Sequence, residues 1–258
     1  MKTFFIIDHR AKLPGNRLLS DLSIRAAALE TGARALDLTF LERTPFAWLI
    51  DRLTRRGGGI WAMGAQKLLP PAHPLPKKYA ERDRLYFFGW MFRNPAGLAR
   101  HRALLLQQCG PGRRMRRAID GILAPLQGRT LIGVHLKQRP FPGFENGEFL
   151  VPPARVREIA GEYLRERGLQ EKDVALVEVS DLGPHRDDLL GLHLLSRCSV
   201  VVGTNSTFGN VAAWFGDVPH VVTTNEPIDW QYYRGKTAYF ENKYATFTHG
   251  LDKVAFLQ

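Results

Sequence analysis

A serine and a threonine stand where a run of valines gives way to a turn of small residues: Val200-Val201-Val202-Gly203-Thr204-Asn205-Ser206-Thr207-Phe208. The valines read as a buried strand, Gly203 to Thr207 as the turn, and Val211, Ala212, Ala213, Trp214 and Phe215 as the helix that follows. Asn205, Ser206 or Thr207 can cap that helix, so backbone N–H groups and hydroxyl donors converge on one point. Such a point suits a phosphate.

Two further segments bring reactive groups to the ends of expected strands. Lys12-Leu13-Pro14-Gly15-Asn16-Arg17 reads as a strand-to-helix turn in which Gly15 permits a tight path and Arg17 can face an anion. Gly15 and Asn16 are equally ordinary turn formers. His135-Leu136-Lys137-Gln138-Arg139 places an imidazole and two cations at the end of a second strand. A hydrogen-bonded structural histidine is the other reading of His135. Carboxylates or imidazoles that could serve as a general base are Asp8, His9, Glu145 and Glu148, all on expected loops where solvated side chains are common.

These segments need a scaffold that delivers strand ends to one rim. Phe4 to Ile7 reads as a first strand, Leu19 to Gly32 as a helix closed by its glycine, and Ala35 to Phe40 as a second strand. Residues 44 to 82 are the least regular, broken by Gly57-Gly58-Gly59 and by prolines from Pro70 to Pro76, and read as an extended connection. Tyr86 to Phe92 is aromatic and apolar, and Leu98 to Leu123 is helical material interrupted at Gly110-Pro111-Gly112. Beyond Gly128 the α/β rhythm is regular: strand Leu131 to His135, helix Pro153 to Gly168, strand Val174 to Val179, helix Asp187 to Arg197, the Val200 strand and its helix, then strand Val218 to Thr223. Alternation of this kind predicts parallel sheets covered on both faces, with ligands beyond the carboxyl ends of the strands. The expected division is into residues 1–128 and 129–258.

With 258 residues the chain can bury one large core or two smaller ones. No apolar run reaches the roughly 18 residues of a membrane span, and the start, MKTFFIIDHR, meets charge too early for a signal peptide. The expected location is the cytoplasm. Cys109 and Cys198 are the two cysteines, both in helical or core segments, which argues against a disulfide framework or a cysteine metal site. Cys198 reads as a small buried hydrophobe, and Trp214 and Phe215 as core.

The net charge of +11 is concentrated at Arg52, Arg55 and Arg56 and at Arg113, Arg114, Arg116 and Arg117. Such clusters attract polyanions. Nucleic acid is disfavoured, because no helix-turn-helix, zinc finger or aromatic RNA-binding motif accompanies them. Peripheral contact with the cytoplasmic face of an anionic membrane draws support from Phe46, Trp48, Leu49, Ile50 and Leu53 just ahead of Arg55 and Arg56, residues that suit a core equally well.

In order and spacing the strand-end segments resemble those of the fucosyltransferases. The chain is similar to a divergent member of the α-1,2-fucosyltransferase family, whose relatives include the α-1,6- and protein O-fucosyltransferases. Leu13-Pro14-Gly15-Asn16-Arg17-Leu18-Leu19 resembles the family's opening Gly-Asn turn before an alanine-rich helix. Val134-His135-Leu136-Lys137-Gln138-Arg139-Pro140 resembles in part the block His-x-Arg-Arg-x-Asp, with Lys137 at the first arginine and Pro140 replacing the aspartate. Ser180-Asp181 and Thr204 to Phe208 resemble the family's Ser-Asp and Asn-Ser-Thr-Phe blocks closely, and Leu194 to Cys198 resembles in part its Leu-x-x-Ser-x-Cys block, keeping Ser196 and Cys198 with His193 at the leucine position. The resemblance covers about residues 4 to 32 and 131 to 216.

What it implies is an α/β, GT-B-like glycosyltransferase: two Rossmann-like lobes with parallel sheets and a cleft between them, the N-terminal lobe on the acceptor side and the C-terminal lobe holding the nucleotide sugar. It implies GDP-fucose as donor, a glycan or lipid-linked saccharide as acceptor, inversion at the anomeric carbon, and neither metal nor organic cofactor. Breaking the bond between the anomeric carbon and the diphosphate puts negative charge on the leaving group, which fixed donors and cations must meet. The resemblance assigns that charge to Lys137, with Arg139 nearby, and to the hydroxyls and amides of Ser206 and Thr207. It places His135 near the nucleotide and adds Gly15, Asn16, Arg17, Asp181 and Asn205 to the donor site. Relatives carry an acidic residue five positions before the helix serine to read guanine; here that position is Gly191. Asp187 and Asp188, one turn earlier, either substitute for it or cap their helix. Lys137, Pro140 and Gly191 also fit a second reading, a nucleotide-binding or scaffold protein without transfer activity.

Overall fold

Parallel strands linked through helices build both halves of the chain, as the alternation of buried runs and amphipathic stretches predicts. The structure is a computed structural model that describes residues 2–7, 14–37, 84–88, 94–137, 151–181, 188–204 and 206–234. The chain divides into two compact units between Gly110 and Pro111. No helix among the described residues is long and apolar enough to cross a membrane.

In the first unit β1 (Thr3–Ile7) lies between β2 (Arg34–Asp37) and β3 (Arg84–Phe88), all parallel, in the order β2-β1-β3. Helix α1 spans Pro14–Thr31 and buries Leu19, Leu22, Ala26, Ala27 and Ala28. It ends where Gly32 turns left-handed, φ +64°, with the Ala33 N–H donating to the Ala28 carbonyl at 2.8 Å. That six-to-one bond past a left-handed residue is a Schellman stop, and glycine adopts it without steric cost. Two short helices follow, α2 (Pro95–Arg100) and α3 (Arg102–Cys109). Asn94 caps α2 by accepting from the Gly97 N–H at 3.0 Å, and its amide donates to Glu30 of α1 at 2.9 Å.

The start of α1 corrects one expectation. Gly15, Asn16 and Arg17 lie in the first turn of the helix itself, not in a strand-to-helix turn ahead of it. Proline at the first helical position lacks only an N–H that would be unbonded there anyway, and its fixed φ is already helical, so Pro14 starts the helix before the turn-forming pair. The connection at 44 to 82 lies outside the described residues.

The second unit opens with α4 (Arg113–Leu123), whose Arg113, Arg114, Arg116 and Arg117 are exposed while Ile119 and Leu123 are buried. Its sheet runs β5-β4-β6-β7, all parallel: β4 (Thr130–Leu136), β5 (Val174–Ser180), β6 (Val200–Gly203) and β7 (His220–Val222). On one face Ile132, Val134, Val200, Val202 and Val221 pack with Val156, Ile159, Ala160 and Tyr163 of α5 (Pro153–Glu166). The other face receives α6 (Leu189–Leu195) and α7 (Thr207–Gly216). Two glycines set how closely that face can be approached. A Cβ at Gly133 would sit 3.0 Å from the Leu195 side chain and 3.2 Å from the Cys198 sulfur, and one at Gly203 would sit 2.7 Å from the His135 Cβ. At the outer edge of β7, the Val222 N–H donates to the Tyr233 hydroxyl at 3.1 Å, so the last helix, α8 (Trp230–Tyr233), satisfies a strand edge.

Candidate functional site

Parallel order brings the carboxyl ends of β4, β5 and β6 to one rim, and five of the residues singled out by their chemistry meet there: His135, Lys137, Asp181, Ser206 and Thr207. In register His135 faces Gly203 of β6, and Leu136 faces Ser180 of β5, so Lys137 and Asp181 leave their strands side by side. The Lys137 Nζ lies 3.8 Å from an Asp181 carboxylate oxygen, with both side chains largely covered.

Ser206 is the cap of α7. Its backbone is extended, φ −139° and ψ 149°, and its Oγ accepts from the Gly209 N–H at 3.1 Å. Of the three residues able to cap, the chain uses the one that also reaches the sheet: the same oxygen is 3.3 Å from His135 Nδ1. Thr207 opens the helix beside it, where first-turn amides and the positive end of the helix dipole favour an anion. Phe208, the next residue, is buried and stacks on the His135 ring at 4.8 Å between centroids.

His135 is fully buried. Burial pushes its pKa down to about 3, and the Lys137 charge adds to the shift while Asp181 opposes it. The ring is therefore neutral at physiological pH and works as a hydrogen-bonding group, not a cation. Positive charge at the rim comes from Lys137 and from the N-terminus of α7. Thr204 and Thr223, one residue past the ends of β6 and β7, bury hydroxyls that find no hydrogen-bond partner among the described residues. Their strands are neighbours, joined there by the Thr223 N–H donating to the Gly203 carbonyl at 2.8 Å. The rim thus combines a helix N-terminus, a lysine, a neutral histidine and buried hydroxyls, a set suited to a phosphate ester.

Gly15, Asn16 and Arg17 belong to the first unit. Arg139 and Asn205 lie outside the described residues, as do Asp8, His9, Glu145, Glu148, Asp187 and Pro140. Asp188 is the cap of α6, accepting from the Gly191 N–H at 3.0 Å, which bears out the capping reading of that residue.

Two residues with no place in the sequence reading complete the site from below. Asn210 in α7 and His220 at the start of β7 are fully buried and hydrogen-bonded to each other at 3.0 Å. Their signal was compositional: an asparagine inside the apolar run from Phe208 to Phe215, and a histidine opening a valine strand. A polar group in such a position needs a partner, but nothing local names it.

No protein-family model and no curated protein sequence matches the chain. Solved structures do match. A mutant of Arabidopsis thaliana FUT1 in complex with GDP superposes with a TM-score of 0.55 at 14% identity, over 88% of this chain and 71% of that one. POFUT1 in complex with GDP gives 0.54 at 11% identity, over 86% and 98%. NodZ α-1,6-fucosyltransferase co-crystallised with GDP gives 0.51 at 16% identity, over 87% and 96%. These likenesses define the fold as GT-B-like and fucosyltransferase-like, an α/β architecture with parallel sheets.

Proposed function

We propose that the chain is an inverting glycosyltransferase that takes a sugar from a nucleotide sugar, with GDP-fucose as donor, and transfers it to a hydroxyl of a glycan or lipid-linked saccharide. In this reading it is an α-1,2-fucosyltransferase-like enzyme that needs neither metal nor organic cofactor. The second unit holds the donor and the first supplies the acceptor side. The observation that carries the reading is the meeting of Ser206, His135 and Lys137 at one strand-end rim, in a fold like that of three proteins solved with GDP.

The chemistry follows from that rim. The acceptor oxygen attacks the anomeric carbon from the side opposite the diphosphate, the carbon–oxygen bond to the diphosphate breaks with its electron pair, and the acceptor proton passes to a base. Lys137 and the amides and hydroxyls at the start of α7 meet the charge that grows on the departing GDP. His135, neutral and buried, holds Ser206 in place. The exposed arginines of α4 would hold a cytoplasmic enzyme against an anionic membrane carrying a lipid-linked acceptor.

A second reading, a nucleotide-binding protein without turnover, is favoured by one observation: Lys137 already has a carboxylate partner in Asp181. Incubation with GDP-fucose and a panel of oligosaccharide and lipid-linked acceptors separates the two. Release of GDP with a product of inverted anomeric configuration supports transfer. GDP binding with no release on any acceptor would support the second reading instead.

A further inference from the structure

Beneath the first turn of α7 runs a buried polar chain. The Ser206 carbonyl accepts twice from one residue, from the Asn210 backbone N–H at 3.1 Å and from its side-chain Nδ2 at 2.9 Å. On its other side the Asn210 Oδ1 lies 3.0 Å from His220 Nδ1. A carbonyl oxygen can only accept, so the asparagine nitrogen must face Ser206 and its oxygen must face His220. His220 therefore carries its proton on Nδ1 and donates it to Asn210. Burial keeps the ring neutral, with its pKa pushed down to about 3.

His220 has little freedom to move. It opens β7 opposite Val201, and its ring lies against the backbone of α7: a Cβ at Gly209 would sit 2.7 Å from Nε2 and 3.0 Å from Cε1. The sheet thus fixes the imidazole, the imidazole fixes the amide, and the amide fixes the peptide of Ser206. The Ser206 Oγ then has one place to be, shared between the Gly209 N–H and His135 Nδ1. An apolar side chain at position 210 would fill the same space beside Val211, Ala212 and Ala213 without needing a partner. Buried polar pairs of this kind fix one geometry among several that packing alone would allow.

We propose that Asn210 and His220 are a positioning pair that locks the Ser206 cap against His135 and so pre-sets the contact that the diphosphate of the donor makes with this turn. The inference rests on the reading under Proposed function. Its test is a double-mutant cycle on GDP affinity, measured by calorimetry for the full chain, Asn210→Ala, Ser206→Ala and the double variant, with histidine ring nitrogen spectra of each. Asn210→Ala is expected to weaken GDP about tenfold, the double variant to bind no more weakly than the poorer single one, and the His135 ring signals to shift in Asn210→Ala. His220→Gln, which keeps a side-chain N–H donor, is expected to restore most of the affinity that His220→Leu loses. Losses that multiply in the double variant, or His135 signals unchanged by Asn210→Ala, overturn the proposal. If the unmodified chain binds no GDP, the functional reading fails by itself, and the His135 spectrum still decides whether Asn210 sets the geometry. Asn210→Asp, of the same shape but with an oxygen turned to the Ser206 carbonyl, replaces the alanine variant in every arm should that variant not fold.

Discussion

The Ser206 hydroxyl and the His135 ring, 71 residues apart in sequence, meet at 3.3 Å where β4 and β6 end side by side. One oxygen thereby ties a helix N-terminus to the centre of a sheet. Removing it in Ser206→Ala should lower stability by about 1 kcal/mol, the usual worth of a helix cap. Thermal melts read the stability change, and an unchanged melting temperature would mean that the cap carries no such weight.

Gly203 is where that meeting is most exposed to a single methyl group. In Gly203→Ala the new Cβ would stand 2.7 Å from the His135 Cβ and 2.9 Å from its carbonyl oxygen, which is backbone and cannot rotate away. A cost of about 1–3 kcal/mol is expected from such overpacking, with displacement of the His135 ring. Chemical denaturation of the variant, with the histidine ring signals, gives both quantities. A fully stable variant with an unmoved ring would contradict the packing described.

Three histidines buried among the described residues make stability depend on pH. Burial lowers His135 and His220 to about 3 and His193 to about 4, from an ordinary value of 6.5. Below 6.5 the unfolded chain takes up protons that the folded chain refuses, so stability rises with pH through this window and is complete above it. Each histidine contributes a slope of about 1.4 kcal/mol per pH unit between its folded and unfolded values. Melting temperatures should be flat from about pH 7 to pH 8 and fall steeply from pH 6 to pH 4. Ring signals of His135 that titrate near pH 6.5 would contradict its burial.

The caps, the parallel strands and the phosphate-suited turn were legible because each depends on neighbours in sequence: Ser206 precedes its helix, Gly32 follows its own, and the valine runs announce β6 and β7. The start of α1 misled because Gly15 and Asn16 favour turns, while Pro14 ahead of them favours the first turn of a helix, and tertiary packing decides between such weak preferences. Asn210 and His220 were not legible as a pair. Their contact joins a helix face to a strand start and exists only once α7 has packed on the sheet. The strand order β5-β4-β6-β7, which places Lys137 beside Asp181, likewise follows from no local pattern.

The Lys137–Asp181 contact makes a directional claim about the rim. If the rim holds the diphosphate as proposed, Lys137→Ala strips its cation and leaves a nearly buried carboxylate there, so GDP affinity should fall by about tenfold or more. Lys137→Arg, which keeps the charge and adds a planar pair of donors, should retain binding. Calorimetry on both variants checks the order. Equal affinity in Lys137→Ala and the unmodified chain would remove Lys137 from the site.

Calorimetric titration of the unmodified chain with GDP-fucose, GDP-mannose, UDP-glucose and GDP tests the central claim most directly. A nucleotide-sugar site at the β4–β6 rim predicts saturable binding of GDP-fucose and GDP, weaker binding of the uridine compound, and a clear loss of affinity in Ser206→Ala. Absence of binding by all four ligands, or binding that Ser206→Ala leaves intact, would contradict it.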